Sequence, residues 1–249
     1  MLDADLFAEG PQRDPRFVVK DRWIDCANFP GDDPRHMIEF FNRQMNEEVN
    51  SLESSARTLQ DFPEADWEIR MWLARQCADE ARHVAMFRTM LEGRGGSVGQ
   101  YPVLNFQYRI ITKISNLIGR LAIQNRSFEA GGIDAIAFGI EEARKLGDTG
   151  LADLYEAQIA DEIVHVRFAN EWIQAQTRRQ PRELMRIGEA LASAEKAFSQ
   201  VMGVEGTDGV SYPADWSARA EAGFRSAEIA AADKLASTSP AAAGSDSRE

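Results

Sequence analysis

Two five-residue stretches, Asp79-Glu80-Ala81-Arg82-His83 and Asp161-Glu162-Ile163-Val164-His165, decide how this chain is read. Each carries Glu-x-x-His inside a segment of helical patterning, and residues three apart share one helical face. A carboxylate and an imidazole from adjacent turns can therefore converge on one ion. The chain has three histidines in all, and 22 of its 249 residues are glutamate. At that frequency one Glu-x-x-His carries no weight. Two of three histidines in the same frame do.

Two lone acids extend the pattern. Glu48 stands 32 residues before Glu80, and Glu129 stands 33 before Glu162. Turn signals near Phe62 and Gly147 fold each pair into an antiparallel hairpin, and at about 1.5 Å per residue the arms differ by only ~5–6 Å. Each Glu-x-x-His returns to nearly the depth of its lone glutamate. Glu47 and Glu53 are the rivals of Glu48. Glu53 lies about 7 Å further along the helix, and Glu47 points about 100° off the Glu48 face. The hairpins together offer Glu48, Glu80, His83, Glu129, Glu162 and His165 to one centre. Four carboxylates facing each other are costly without cations. Mixed oxygen and imidazole donors suit two iron ions, or iron with manganese, better than zinc or copper. Asp79 and Asp161 each precede a ligand glutamate and are placed to hold the outer imidazole nitrogen of the histidine across the bundle. Cys77, Asn125 and Tyr155 fall on neighbouring positions of the same helices, and His36 reads as structural.

Helical patterning runs through most of the chain. The breakers predict helices over 34–61, 63–93, 104–146 (bent at Gly131-Gly132), 149–179, 181–202 and 214–235. That divides the chain into an irregular N-terminal arm (1–33), a four-helix bundle (34–180), a C-terminal helical extension (181–235) and a disordered tail (236–249). The fold class is all-α, with no convincing strand. Apolar residues at 44% and charged residues at 27% are ordinary for a globular protein. No stretch is long and apolar enough to cross a bilayer, and the acidic start resembles no leader, so a soluble cytoplasmic protein is expected. Two cysteines cannot build a thiolate metal site. A net charge of −12 argues against a nucleic-acid partner and for a small-molecule substrate.

The segments 46–62, Asp79 to His83, Phe128 to Asp134 (FEAGGID) and Asp161 to Trp172 (DEIVHVRFANEW) resemble the ferritin-like superfamily. The resemblance is specifically to a branch of unknown function related to di-iron tRNA hydroxylases. It implies a ferritin-like four-helix bundle with a di-metal site at the six residues named above. It also implies an oxidoreductase, a non-haem di-iron monooxygenase that uses dioxygen to hydroxylate or N-oxygenate a bound substrate. A ferroxidase or iron-binding protein without organic substrate is the alternative. The ribonucleotide reductase small subunit is similar too, but Phe87 stands where its radical tyrosine would fall. No flavin or nicotinamide motif is present, so electrons are expected from a ferredoxin or reductase partner. A homodimer is compatible with this reading.

Overall fold

A computed structural model describes residues 14–207 and 212–230. In chain order, strand β1 (Val19–Lys20) and a 3-10 turn at Trp23–Asp25 precede the long helices α1 (His36–Asp61) and α2 (Trp67–Gly93). Strand β2 (Val103–Leu104) follows and pairs in parallel with β1, Val19 opposite Val103. Next come α3 (Phe106–Lys113), α4 (Leu117–Ile123), a π-helical stretch Gln124–Glu129, and α5 (Ala130–Leu146). The described chain closes with α6 (Thr149–Arg179), α7 (Glu183–Thr207) and α8 (Trp216–Glu221). The architecture is an all-α helical bundle. α1 packs on α2 and α5 on α6, while α2 meets α6 between the two hairpins.

Local chemistry sets the boundaries. Asp33 accepts from the Arg35 backbone N–H at 2.8 Å, which holds a turn there and starts α1 two residues later than expected. Asp66, rather than Pro63, precedes α2. Asp148 accepts from Leu151 N at 3.0 Å and caps α6, and Gly147 (φ 73°) takes the left-handed turn that ends α5.

The helix expected over 104–146 is three segments, which corrects the sequence reading twice. It breaks at residues 114–116, where the Asn116 side chain accepts from Gly119 N at 2.8 Å and starts a new helix. The buried Arg120 takes the freed carbonyls of Ile114 (2.8 Å) and Thr112 (3.2 Å) and also reaches Asp61 (2.6 Å). The irregularity expected at Gly131-Gly132 lies instead at 124–129, and both glycines sit in regular helix. The strand pair was not expected either. It is held by a row of buried asparagines on α1: Asn42 accepts from Gly99 N (2.9 Å) and donates to Tyr101 O (3.0 Å), and Asn50 donates to Leu104 O (3.2 Å). Asn46 donates to Leu104 O as well.

At the C-terminal side, α7 packs on α3 and α4, and its regular geometry ends at Gly203 (φ 62°), one residue past the expected end. The helix expected over 214–235 is interrupted at Gly223 (φ 83°) and resumes over 226–230. Residues 1–13 of the expected arm, 231–235 of that helix and the expected tail at 236–249 lie outside the described residues.

Two apolar layers enclose a polar one along the bundle axis. Phe41, Met45, Phe87, Leu91, Leu154 and Tyr155 form one layer. Ile69, Leu73, Leu121, Phe168 and Ile173 form the other. Between them, the same helices turn glutamates and histidines inward. Burying so many ionisable groups costs several kcal/mol per uncompensated ion, so the middle layer demands a chemical explanation. Among the described residues, no helix is long and apolar enough to cross a membrane.

Candidate metal centre

The structure brings the six expected residues together. Glu48 comes from α1, Glu80 and His83 from α2, Glu129 from the end of the π-helical stretch, and Glu162 and His165 from α6. All six are buried, none more than 8% exposed. They form two overlapping sets, Glu48–Glu80–His83–Glu162 and Glu80–Glu129–Glu162–His165, each with its donor atoms within 4.8 Å of one another. Glu80 and Glu162 belong to both sets. Of the rival acids, neither Glu47 nor Glu53 joins either group.

The histidines point one nitrogen in and one out. His83 Nδ1 faces Glu48 (3.2 Å), Glu80 (3.2 Å) and Glu162 (3.4 Å), and His83 Nε2 faces Asp161 Oδ2 at 3.2 Å. His165 Nδ1 lies 3.5 Å from Glu80 and 3.4 Å from Glu162, and its Nε2 faces Asp79 Oδ2 at 3.3 Å. Each aspartate thus serves the histidine of the opposite helix. Arg82 ties the two together, contacting Asp79 (3.3 Å) and Asp161.

A ring of amides and a hydroxyl surrounds the carboxylates. Gln158 Nε2 donates to Glu48 at 2.9 Å, and Gln76 Nε2 donates to Glu129. Asn125 Nδ2 has three acceptors within reach of its two hydrogens: Glu129 (3.0 Å), Gln76 Oε1 (3.0 Å) and His165 O (3.2 Å). Ser51 Oγ lies 2.7 Å from a Glu80 oxygen and 2.9 Å from a Glu129 oxygen, with one hydrogen to donate between them. Sequence reading missed Gln76, Gln158 and Ser51. A signal for the glutamines was present: 76–83 reads Gln-Cys-Ala-Asp-Glu-Ala-Arg-His and 158–165 reads Gln-Ile-Ala-Asp-Glu-Ile-Val-His. The repeat includes the glutamine one turn before each shared glutamate. Other expected positions are more ordinary. Cys77 donates to Leu52 O at 3.7 Å, and His36 Nδ1 contacts Phe29 O at 2.9 Å.

Electrostatics marks the cluster as short of positive charge. Desolvation, reinforced by Glu80 and Glu162, pushes Glu48 and Glu129 well above the ordinary carboxylate range. Burial acts the same way on Glu80, but the hydrogen bond from His83 and both imidazoles outweigh it and bring it down to about 2. For His83, burial works against the charge, yet Glu48 and Glu80 hold the imidazolium and raise it to about 11. His165 is raised well above its usual range against the same desolvation, by Asp79 and Glu162. Asp79 is held at about 2, chiefly by its hydrogen bond with His165. Protons here stand where cations would otherwise balance the carboxylates.

The residues fit a pair of divalent metal ions. His165 Nδ1 is buried without a hydrogen-bond partner, as a ligand nitrogen facing a cation should be. Four carboxylates and two neutral imidazoles balance the charge of two divalent ions, and the shared glutamates are placed to bridge them. A cavity of about 260 Å³ opens on this centre. It touches Glu48, Glu80, Glu129 and Glu162 but neither histidine, and Phe40, Phe87, Phe128, Ile136 and Tyr155 are among its walls. The family described as "Protein of unknown function (DUF455)" matches residues 8–230 of the chain. No curated protein and no solved structure matches it.

Proposed function

The chain belongs to the DUF455 family, and we propose that it is a non-haem di-iron oxygenase that hydroxylates or N-oxygenates a small organic substrate. The observation that carries this reading is the pair of overlapping four-residue sets sharing Glu80 and Glu162. One carboxylate and one histidine are private to each set, the arrangement of a two-metal carboxylate bundle. This is also the ligand set of the ferritin-like proteins that the sequence resembles.

Bound iron would supply the activation of dioxygen, and the chain's own residues supply the rest. Asp161 and Asp79 fix the orientation of His83 and His165 through their outer nitrogens. Gln158 and Gln76 hold Glu48 and Glu129 from the side. The aromatic rings of Phe40, Phe87, Phe128 and Tyr155 in the cavity wall would place a substrate against the carboxylates. Electrons reach the site from an external ferredoxin or reductase.

The cavity favours an organic substrate over the ferroxidase alternative, because oxidation of iron alone needs no chamber of about 260 Å³ with aromatic rings in its wall. The test is metal analysis after anaerobic ferrous loading, followed by oxygen uptake with and without candidate substrates. Two metals per chain and substrate-dependent uptake are expected. Rapid uptake that only tracks added ferrous iron supports the ferroxidase, and a plateau below one metal per chain removes both readings.

A further inference from the structure

One residue at the rim of the cavity comes from outside the segment that builds the rest of it. The other described lining residues all fall between Phe40 and Glu162. Tyr212 reaches the cavity from the chain that follows α7. Of the described lining residues only Gly131 and Tyr212 are exposed, Tyr212 at 39%. The remaining walls are buried or half-buried, so the mouth of the cavity lies between these two.

The chain that carries Tyr212 is fastened. Asp134 of α5, 6% exposed, accepts from the Asp215 N–H (3.0 Å) and from Arg219 Nε (3.0 Å) and Nη2 (2.6 Å). α6 takes the far end: Arg167 Nε donates to Glu221 O (2.8 Å), Asn170 Nδ2 to Ala222 O (2.8 Å) and Gln174 Nε2 to Gly223 O (3.0 Å). Ala218 and Ala222 pack on Ile133, Ile163 and Val166. Residues 212–224 thus form a strap across α5 and α6, and parting a buried charge pair is costly, so the strap keeps its place. The Tyr212 ring lies outside that apolar seat. Its aromatic neighbour is Phe138 of α5, itself 38% exposed, with ring centroids 5.5 Å apart.

Across the mouth the backbone is left bare. Gly131 and Gly132 line the cavity from α5, and a Cβ built on either meets nothing within 4 Å. No neighbouring helix requires them to be glycine, and each costs helix stability relative to alanine. Gly139 on the same helix differs, since its Cβ would lie 2.7 Å from the Tyr155 ring. A ring on one side and two missing side chains on the other set the width of the opening.

We propose that Tyr212 is a specificity-determining residue, whose ring narrows the mouth and limits the girth of the molecules that reach the carboxylates. The bare backbone at Gly131 and Gly132 leaves passage for a slender one. This deepens the oxygenase reading, on which its meaning for substrate choice rests.

A thiol placed inside the mouth, as Gly132→Cys and separately as Ala135→Cys, tests this on the full chain, with the unaltered protein as the blank for Cys26 and Cys77. N-methylmaleimide and N-pyrenylmaleimide share one reactive group and differ in girth, and each rate is taken relative to that with free cysteine. The pyrenyl reagent should react at least about tenfold more slowly than the methyl one. Tyr212→Ala should raise the pyrenyl rate at least about tenfold and change the methyl rate by less than about threefold. Tyr212→Phe keeps the ring and should leave both rates as they were. Circular dichroism should show unchanged helix content in both variants, because the position is exposed. Thiols closed to N-methylmaleimide at both positions, equal rates for the two reagents with Tyr212 in place, or a pyrenyl rate that Tyr212→Ala leaves slow overturns the proposal. So does a Tyr212→Phe variant that behaves like Tyr212→Ala. The labelling needs no metal, so failure of the di-iron reading shows separately: the rates stand as expected, but metal content stays below one ion per chain.

Discussion

Where the candidate metal centre meets the histidines, the outer nitrogens of His83 and His165 are taken by Asp161 and Asp79, and Arg82 reaches both aspartates. Where it meets the cavity, the four glutamates look onto aromatic rings, two glycines and the glutamines Gln44, Gln107 and Gln124. The first side is built to hold and the second to admit. The same helices make both, since α2 and α6 each place aspartate, glutamate and histidine on successive directions of one or two turns. On the proposed function, the difference separates residues expected to set metal affinity from residues expected to set what enters, and variants of each class test it.

The largest effect belongs to the shared carboxylates. Glu80→Ala or Glu162→Ala should take metal content from about two ions per chain to near none, because both ligand sets lose a member. His165→Ala should abolish oxygen-dependent turnover in the same way, and circular dichroism should still report a helical protein. Glu48→Gln strikes one set only and should leave the other ion bound, whereas Glu47→Gln or Glu53→Gln should leave metal content unchanged in elemental analysis. Loss of metal on Glu47→Gln with retention on Glu48→Gln would reverse the assignment of α1.

A smaller effect sharpens the comparison from the histidine side. Asp79→Asn and Asp161→Asn should each weaken metal binding by about 10–100-fold, the range for outer partners of ligand histidines. Neither aspartate lines the cavity, so its walls should stay in place in both variants.

The pH dependence follows from the cluster's protons. Glu48 and Glu129 sit above the ordinary carboxylate range and His83 at about 11, so metal must displace protons to bind, and affinity should climb as pH rises. A pH indicator should report net proton release on ferrous titration at pH 7. Stability of the metal-free protein runs the other way. A histidine raised from 6.5 to about 11 contributes fully below 6.5, and that contribution is lost as pH climbs through the folded value. The melting temperature without metal should therefore fall on going from pH 6.5 to pH 10, and loaded protein should resist the fall.

The smallest effect is at Gly131. Gly131→Ala should raise stability by about 0.5–1 kcal/mol, the helix-propensity difference, with metal content unaltered. Gly139→Ala should lower it, since the added methyl meets the Tyr155 ring. Urea unfolding of the two variants distinguishes a glycine kept for room from one kept for packing.

Much of this was legible in the sequence because helices translate spacing into direction. Glu80 with His83 and Glu162 with His165 needed only a three-residue interval, and Glu48 emerged from its rivals by axial depth and facing angle. The aspartates before each shared glutamate could be placed by the same geometry. What escaped lacks a periodic signature. Gln76 and Gln158 act through contacts across the bundle, although their repeated context gives them away once the two segments are aligned. The break at residues 114–116 depends on Arg120 collecting carbonyls from the preceding helix, a tertiary event. The strand pair is two residues long and owes its register to asparagines on α1. The family match over residues 8–230 spans these features as well as the ligand segments.

The π-helical stretch at Gln124–Glu129 holds one more residue than an α-helical turn of the same height. Ser127 Oγ donates to Ala122 O at 3.0 Å and satisfies one carbonyl of the widened turn. Because the extra residue is absorbed inside one widened turn, loss of one codon within 124–128 lets that turn close as α-helix while α4 and α5 keep nearly the same phase. The same three-nucleotide deletion at residue 81 or 82, in regular helix, would turn the Glu80 and His83 side chains about 100° further apart. Of these two in-frame deletions, each too small to show in a protein gel, only the second therefore breaks the cluster outright.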